Sequence, residues 1–307
     1  MRNEEPPIEL ELVPCDFCKS TEFKVQYSKP DLYTWFSSYE FNVVKCDNCD
    51  LVYVNPRPTM KSMSSYYPPK YFSKRDTDTA HKRYTKQLNY LPALSNEKVL
   101  DIGCAKGDFL AFLHKRYPDL DLYGCDAFND NIIHSNVEFC NTELSDAPYK
   151  SDYFDVVTAW AVFEHLHFPS SYFKELGRIL KPAGKFIFLV PNADSLYGKK
   201  SYREDLPRHL HHFSRETVEK YANQYGLKLN TIHYTNDVFN GKGKGLFFHS
   251  LAKRANVSWK QIREKDLSLF EKVILKIGRA LDYVTFFTDW EAKLKRSGVM
   301  IIELQKK

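Results

Sequence analysis

The stretch KVLDIGCAKGDFLAFL, residues 98–113, decides the fold. Lys98 to Ile102 has the composition of a short buried strand, Gly103 to Gly107 that of a tight turn, and Asp108 opens an apolar helical spacing. A strand that enters a helix through glycines is the usual cradle of a nucleotide in an α/β fold. A dinucleotide site wants Gly-x-Gly-x-x-Gly, and from Gly103 those positions hold Gly103, Ala105 and Asp108. An aspartate at the third position, with Asp101 at the strand end, sets negative charge where a diphosphate would lie. The turn suits a cation.

From Lys98 onward, strand and helix patterns alternate. Strands are expected at 98–102, 121–126, 136–140, 154–160 and 185–190, with helices at 107–117, 128–135 and 169–181 between them. KPAG, residues 181–184, reads as a proline–glycine helix stop. Ser214 is placed to cap a helix running to Tyr225 with Gly226 at its end, and strands follow at 227–235 and at the C-terminus. Short apolar strands separated by helices predict a mostly parallel sheet covered on both faces.

S-adenosylmethionine is a nucleoside ligand with an ammonium, a sulfonium and no phosphate. Asp101 is expected to meet its amino group, Gly103, Cys104 and Gly107 to wrap its methionine end, and Asp126 to accept hydrogen bonds from its ribose. Ala105 fits the turn if its φ is negative.

The segments VLDIGCAKGDFL, YGCDA, FDVVTAWAVFEHLHFP, LGRILKPAGKFIFLVPN and PRHLHHFSRETV, in that order over roughly 97–235, resemble a class I S-adenosylmethionine-dependent methyltransferase. The resemblance implies a Rossmann-like α/β fold with a seven-stranded sheet. It also places Trp160 and Ala161 beside the cofactor, with Glu164 and His165 at the edge of the active site. The acid that such enzymes set near adenine is Glu143 or Asp146 here.

Cys15, Cys18, Cys46 and Cys49 form two Cys-x-x-Cys pairs with 27 residues between them. Four thiolates suit tetrahedral zinc and leave no open position, so a structural Zn2+ is expected. Cys104, Cys125 and Cys140 lie scattered in the α/β part. The zinc segment is not strongly basic, which disfavours a nucleic-acid reader. CDNCDLVYVNPRP also resembles the N-terminal zinc module of sugar C-methyltransferases, where the module walls the substrate side. The expected division is a zinc module over 1–59, a helical linker or lid over 60–96, the methyltransferase domain over 97–239 and 298–307, and a helical insertion over 240–297. Tyr66, Tyr67 and Tyr71 are expected as lid or packing residues.

Methyl transfer is an in-line displacement that needs alignment and, for an alcohol or acidic carbon, a base. His165, His167, His209, His211 and His212 are expected on two loops after the fourth and fifth strands. His165 or His209 is the expected base, with Glu164 orienting a partner; Arg208 is read as a surface ion pair or as an anchor for a phosphate or carboxylate of the substrate. In the insertion, Leu267, Phe270, Ile274, Ile277, Leu281 and Val284 form one apolar helical stripe, expected to pack on its own domain, form a homodimer contact, or touch a membrane peripherally.

The 44 lysines and arginines against 39 acids leave +5, read as spread along the chain. No uncharged apolar run is long enough to span a membrane, and the acidic start MRNEEPPIELEL lacks a secretory h-region, so a cytoplasmic protein is expected. The leading expectation is methylation of a small molecule, a sugar or nucleotide-linked sugar, by a monomer or homodimer. The alternatives are a tRNA or rRNA methyltransferase, a lipid or quinone methyltransferase, and a non-catalytic cofactor-binding interaction protein.

Overall fold

The computed structural model describes residues 8–31, 36–67, 77–128, 134–196, 205–235, 245–286 and 290–307. The N-terminal part holds β1 (Leu10–Glu11), β2 (Phe23–Lys29), β3 (Phe41–Cys46), β4 (Val52–Val54) and β5 (Arg57–Pro58), then helices α1 (Met60–Met63) and α2 (Thr77–Leu88). The alternating part runs β6 (Lys98–Ile102), α3 (Asp108–Arg116), β7 (Asp121–Cys125), β8 (Glu138–Cys140), β9 (Phe154–Trp160), α4 (Pro169–Ile179) and β10 (Leu180–Pro191). It continues through β11 (His211–His212), α5 (Arg215–Gln224) and β12 (Leu227–Thr235). The insertion carries α6 (Leu246–Arg254), α7 (Trp259–Glu264), α8 (Leu269–Phe286) and α9 (Trp290–Lys293) before the last strand, β13 (Val299–Lys306).

Seven strands form one sheet in the order β12-β13-β10-β9-β6-β7-β8. Pairs from β10 to β8 are parallel, while β13 runs antiparallel to both its neighbours. Alternation along the strands sends Leu100, Val157 and Phe186 to the face covered by Phe173 and Leu176 of α4 and Tyr221 of α5. Val99, Val156 and Ile187 face Leu110 and Leu113 of α3 instead. The expected α/β class and seven-stranded sheet are therefore present, and the ends of β6, β7 and β9 open on one edge.

One local expectation is corrected. Helix α4 stops at Ile179 without a glycine cap, and KPAG is taken into β10 as an irregularity between Leu180 and Lys185. The left-handed residue there is Ala183 (φ +63°), not Gly184. Gly184 is needed for closeness, since a Cβ on it would lie 2.8 Å from the Lys181 carbonyl oxygen. The cap at Ser214 behaves as expected: its hydroxyl accepts from Thr217 N–H, and Gly226 takes φ +74°. The expected helix at 128–135 falls largely outside the described residues.

Of the insertion stripe, Leu267 packs on the small core of the insertion and Ile274 is half-buried. Phe270 (69%), Ile277 (50%), Leu281 (42%) and Val284 (65%) stay exposed. Helix α8 instead buries Leu275 against Phe248 of α6, and Gly278 lets the two helices touch, since a Cβ there would sit 2.7 Å from Phe248 Cα. Asp282 completes the contact by accepting from the N–H groups of Phe247 and Phe248, each at 2.9 Å, which caps the start of α6. The spacing is helical, but the packed face is centred on Leu275, Gly278 and Asp282, beside the stripe rather than on it. Among the described residues no helix is long and apolar enough to cross a membrane.

The cysteine module and the methyltransferase part share a sheet. Strand β11 pairs antiparallel with β4, His211 opposite Tyr53 and His212 opposite Val52, giving the order β11-β4-β3-β2. Asp16, inside the first cysteine loop and 6% exposed, accepts from Ser170 N–H (2.8 Å), Ser170 Oγ (2.7 Å) and the Tyr221 hydroxyl (2.8 Å). Helix α4 begins with Pro169 and has no side-chain cap from its own N-cap, Phe168, so Asp16 caps it from another part of the chain. Arg57 adds a second tie, donating to the His167 carbonyl (2.6 Å) and to Glu11 (2.7 Å). In the metal-replete protein Asp16→Ala is expected to cost about 2–4 kcal/mol by urea denaturation, through a lost cap and a stranded buried hydroxyl. A loss below about 1 kcal/mol would show that the two parts do not depend on this contact.

Candidate active site

Strand β6 ends in a turn built on left-handed residues: Gly103 (φ +65°), Ala105 (+50°) and Gly107 (+80°). The condition of a negative φ at Ala105 is thus not met, and the turn holds the alanine left-handed. A left-handed alanine costs about 1–2 kcal/mol, and the bond from its N–H to Asp126 Oδ2 (2.9 Å) holds it there. Gly103 has no room for a side chain, because a Cβ would meet Val162 Cγ2 at 2.5 Å. Gly103 and Cys104 both donate to the Cys125 carbonyl oxygen, which fixes the turn to β7. Cys104 itself packs into the core against Leu110.

Asp101 is 3% exposed and accepts from the Thr158 hydroxyl at 2.6 Å. Burial raises its carboxyl to about 7, despite the Thr158 bond. Thr158 thus joins the candidate site through Asp101, and the sequence signal for it was a hydroxyl inside the apolar run FDVVTAW. Asp126, just past β7, accepts from Ala105 N–H and from Phe128 N–H (2.9 Å), so it shapes the turn as well as facing the edge. Trp160 ends β9 with its ring 5.7 Å edge-on from Phe109, and its buried indole N–H has no partner among the described residues. Of the two acids weighed for adenine, Glu143 accepts from the Tyr172 hydroxyl, while Asp146 is exposed.

Directly after Trp160 the chain turns through Phe163–His165 as one 3-10 turn. The ligand atoms of Glu164, His165 and His209 lie within 4.8 Å of one another, and the two imidazole centres are 4.8 Å apart. Nδ1 of His165 sits 3.1 Å from the Arg208 carbonyl oxygen and 3.0 Å from the Tyr67 hydroxyl. A carbonyl only accepts, so Nδ1 carries the proton and Nε2, 3.9 Å from Glu164 Oε1, carries the lone pair. His209 Nε2 lies 3.4 Å from Asp205 Oδ2. Burial pushes Glu164 up to about 8 and both histidines down to about 3, with each imidazole lowered further by its cationic surroundings. At neutral pH the cluster is therefore a protonated acid beside two neutral imidazoles.

The other histidines separate from this group. His167 points Nε2 at the Pro58 carbonyl oxygen (3.1 Å), a tie to the cysteine module. His211 and His212 are buried strand residues of β11 rather than loop residues, with His211 stacked on Tyr53. Arg208 is 1% exposed and paired with Asp205, so it is a buried ion pair, not a surface one. Tyr66 is buried among Phe36 and Phe41, a packing residue; Tyr67 reaches the cluster; Tyr71 lies outside the described residues.

The four cysteines of the module converge, with Cys15 and Cys49 Sγ atoms 3.4 Å apart, Cys18 and Cys46 3.5 Å apart, and all four within 4.8 Å. Zinc with bonds of about 2.3 Å sets thiolates about 3.8 Å apart in a tetrahedron. The two loops repeat one geometry. Lys19 and Asp50 donate to the Cys15 and Cys46 carbonyls, Cys15 and Cys46 to those of Ser20 and Leu51, and Lys19 and Asp50 both take a positive φ. Burial, with crowding by Cys18 and Cys46, raises Cys49 to about 11, while against burial the backbone and Asn48 bonds bring Cys18 down to about 7. The donor set fits a closed tetrahedral metal site.

A family model described as a methyltransferase domain matches residues 74–232, just over half of the chain. The malonyl-[acyl-carrier protein] O-methyltransferase of Herminiimonas arsenicoxydans is 30% identical over 122 residues, 39% of this chain and 46% of that protein. A ubiquinone/menaquinone biosynthesis C-methyltransferase of Vibrio campbellii is 28% identical over 120 residues, 35% of this chain and 46% of that protein. The chain thus spans about half the length of these curated relatives. Haemonchus contortus phosphoethanolamine N-methyltransferase 2, solved with S-adenosyl-L-methionine, shares the fold at a TM-score of 0.51 and 14% identity, over 92% of this chain and 68% of that one. With its glycine turn, its buried Asp101 and this match, the chain belongs to the class I S-adenosylmethionine-dependent methyltransferases.

Proposed function

We propose that the enzyme methylates an oxygen or nucleophilic carbon of a small polar molecule, with a sugar or nucleotide-linked sugar as the leading acceptor. The observation that carries this reading is the Glu164–His165–His209 cluster, buried one turn past Trp160 and braced by the cysteine module. S-adenosylmethionine supplies an electrophilic methyl group on its sulfonium. Asp101, Gly103, Cys104, Gly107, Asp126 and Trp160 form its cradle, with the Asp101 carboxylate toward the ammonium. Glu164 and the neutral imidazoles face the acceptor, and His165 Nε2 or His209 takes its proton. In that step the positive charge of the sulfonium ends on an imidazole, beside Asp205. The cysteine quartet holds a structural Zn2+ that keeps Asp16 and Arg57 in place.

The acceptor class is tested with labelled methyl donor in host extract separated into polar small-molecule, lipid, RNA and protein fractions. Label is expected in the polar fraction, absent with Asp101→Ala and reduced about 10²–10⁴-fold when both His165 and His209 are replaced by alanine. Label in RNA, or full turnover by the double variant, would overturn the respective part of the reading. The cofactor side is tested by calorimetry of S-adenosylhomocysteine. Asp101, held near 7 by burial, loses its charge as pH falls, so affinity should drop about tenfold per unit below that value. Asp101→Asn should bind weakly at every pH, and equal wild-type affinity at pH 5.5 and 8 would contradict the assignment.

A second reading, an acceptor held at a lipid surface, is favoured by one observation. The excess positive charge is not spread along the chain: residues 240–297 hold 13 lysines and arginines against 6 acids, leaving the rest slightly acidic. That segment also carries the exposed apolar face of α8, with Lys272 and Lys276 beside it. Sedimentation with vesicles rich in phosphatidylglycerol, but not with phosphatidylcholine alone, is expected under this reading and should fail for Phe270→Glu/Ile277→Glu. Equal pelleting of wild type and variant would remove it.

A further inference from the structure

We propose that Glu164, His165 and His209 bind a divalent cation of borderline character, such as Zn2+, Mn2+ or Co2+, distinct from the metal of the cysteine quartet. The inference rests on the reading of this cluster as the acceptor end of the site. Two imidazoles and one carboxylate are three ligands, which leaves open positions for substrate oxygen, unlike the closed set of four thiolates.

Several features of the geometry favour a cation. Glu164 is 2% exposed and its Oε2 has no hydrogen-bond partner among the described residues, a cost that a bound cation removes. Each imidazole is oriented by an oxygen on one ring nitrogen: the Arg208 carbonyl at 3.1 Å from His165 Nδ1, and Asp205 Oδ2 at 3.4 Å from His209 Nε2. Metal-bound histidines are held in this way, which fixes their tautomer and aim. The ligand atoms already lie within 4.8 Å, and bonds of about 2.1 Å need them to close by about 1 Å, within reach of side-chain rotation. Among the described residues the opposing charge that acts on both imidazoles, Arg208, is paired with Asp205.

A cation here would bind acceptors that offer an oxygen pair, such as vicinal hydroxyls or a hydroxyl beside a phosphate. With both imidazole lone pairs on the cation, neither histidine would serve as the base of the metal-free reading; the bound hydroxyl would lose its proton to water and keep the O–H electron pair. That oxygen then bonds to the methyl carbon as the C–S pair returns to sulfur.

The test loads the full-length chain with Co2+ and counts bound metal with and without thiolate charge-transfer absorption. Wild type should hold about two ions, one with thiolate character and one without. Glu164→Gln and His209→Asn should keep the thiolate-bound ion and S-adenosylhomocysteine binding, and weaken the second ion by more than about 100-fold. A single, thiolate-bound ion in wild type, or a second ion that survives in both variants, would overturn the proposal. If transfer then still depends on His165 and His209 but not on chelation, the histidine base stands without a cation. If it depends on neither, the acceptor assignment itself fails.

Discussion

One carboxylate joins the two halves of this molecule. Asp16 sits in the first cysteine loop, yet its three hydrogen bonds all go to the methyltransferase part, at Ser170 and Tyr221. A buried carboxylate is expensive unless fully bonded. The start of a helix whose own N-cap offers no side chain is where it is best accommodated. The geometry of that loop depends on Cys15 and Cys18 at its flanks, so whatever closes the cysteine quartet also sets the entry of α4. The stretch between Trp160 and α4 is the stretch that carries Glu164 and His165.

The same bracing reaches the site from the other side. Strand β11 is supplied by residues that follow Asp205, Arg208 and His209, and it completes the sheet of the cysteine module. The cluster is therefore clamped between two segments, 163–169 and 205–212, each fastened to the module: one through Asp16, Arg57 and His167, the other through β11. The glycine turn and Asp101 lie on the strand ends of the large sheet, with Val162 packed on Gly103. The cofactor end thus rests chiefly on the sheet and the acceptor end chiefly on the module.

Much of this was legible in the sequence. The strand–turn–helix at 98–113, the capping Ser214 and the paired cysteines are local patterns, and local patterns survive folding because neighbouring residues decide them. What failed were statements about partners distant in sequence. Nothing near Ala105 announces the φ of +50°, which is held by Asp126 twenty-one residues away. His167, His211 and His212 looked equivalent to His165 and His209 because histidines carry no mark of whether a carbonyl, a strand or a substrate will meet them. The α8 stripe had the right period, but periodicity cannot say which of two apolar faces the neighbouring helix takes, and here Gly278 and Leu275 decided it.

The central claim is that the cysteine module braces the acceptor end of the site and leaves the cofactor end to the sheet. Amide hydrogen exchange before and after removal of metal from the quartet tests it most directly. The account predicts faster exchange over residues 163–171 and 205–213, with little change over 98–126. Unchanged exchange in the first two segments, or equal loosening of all three, would contradict it.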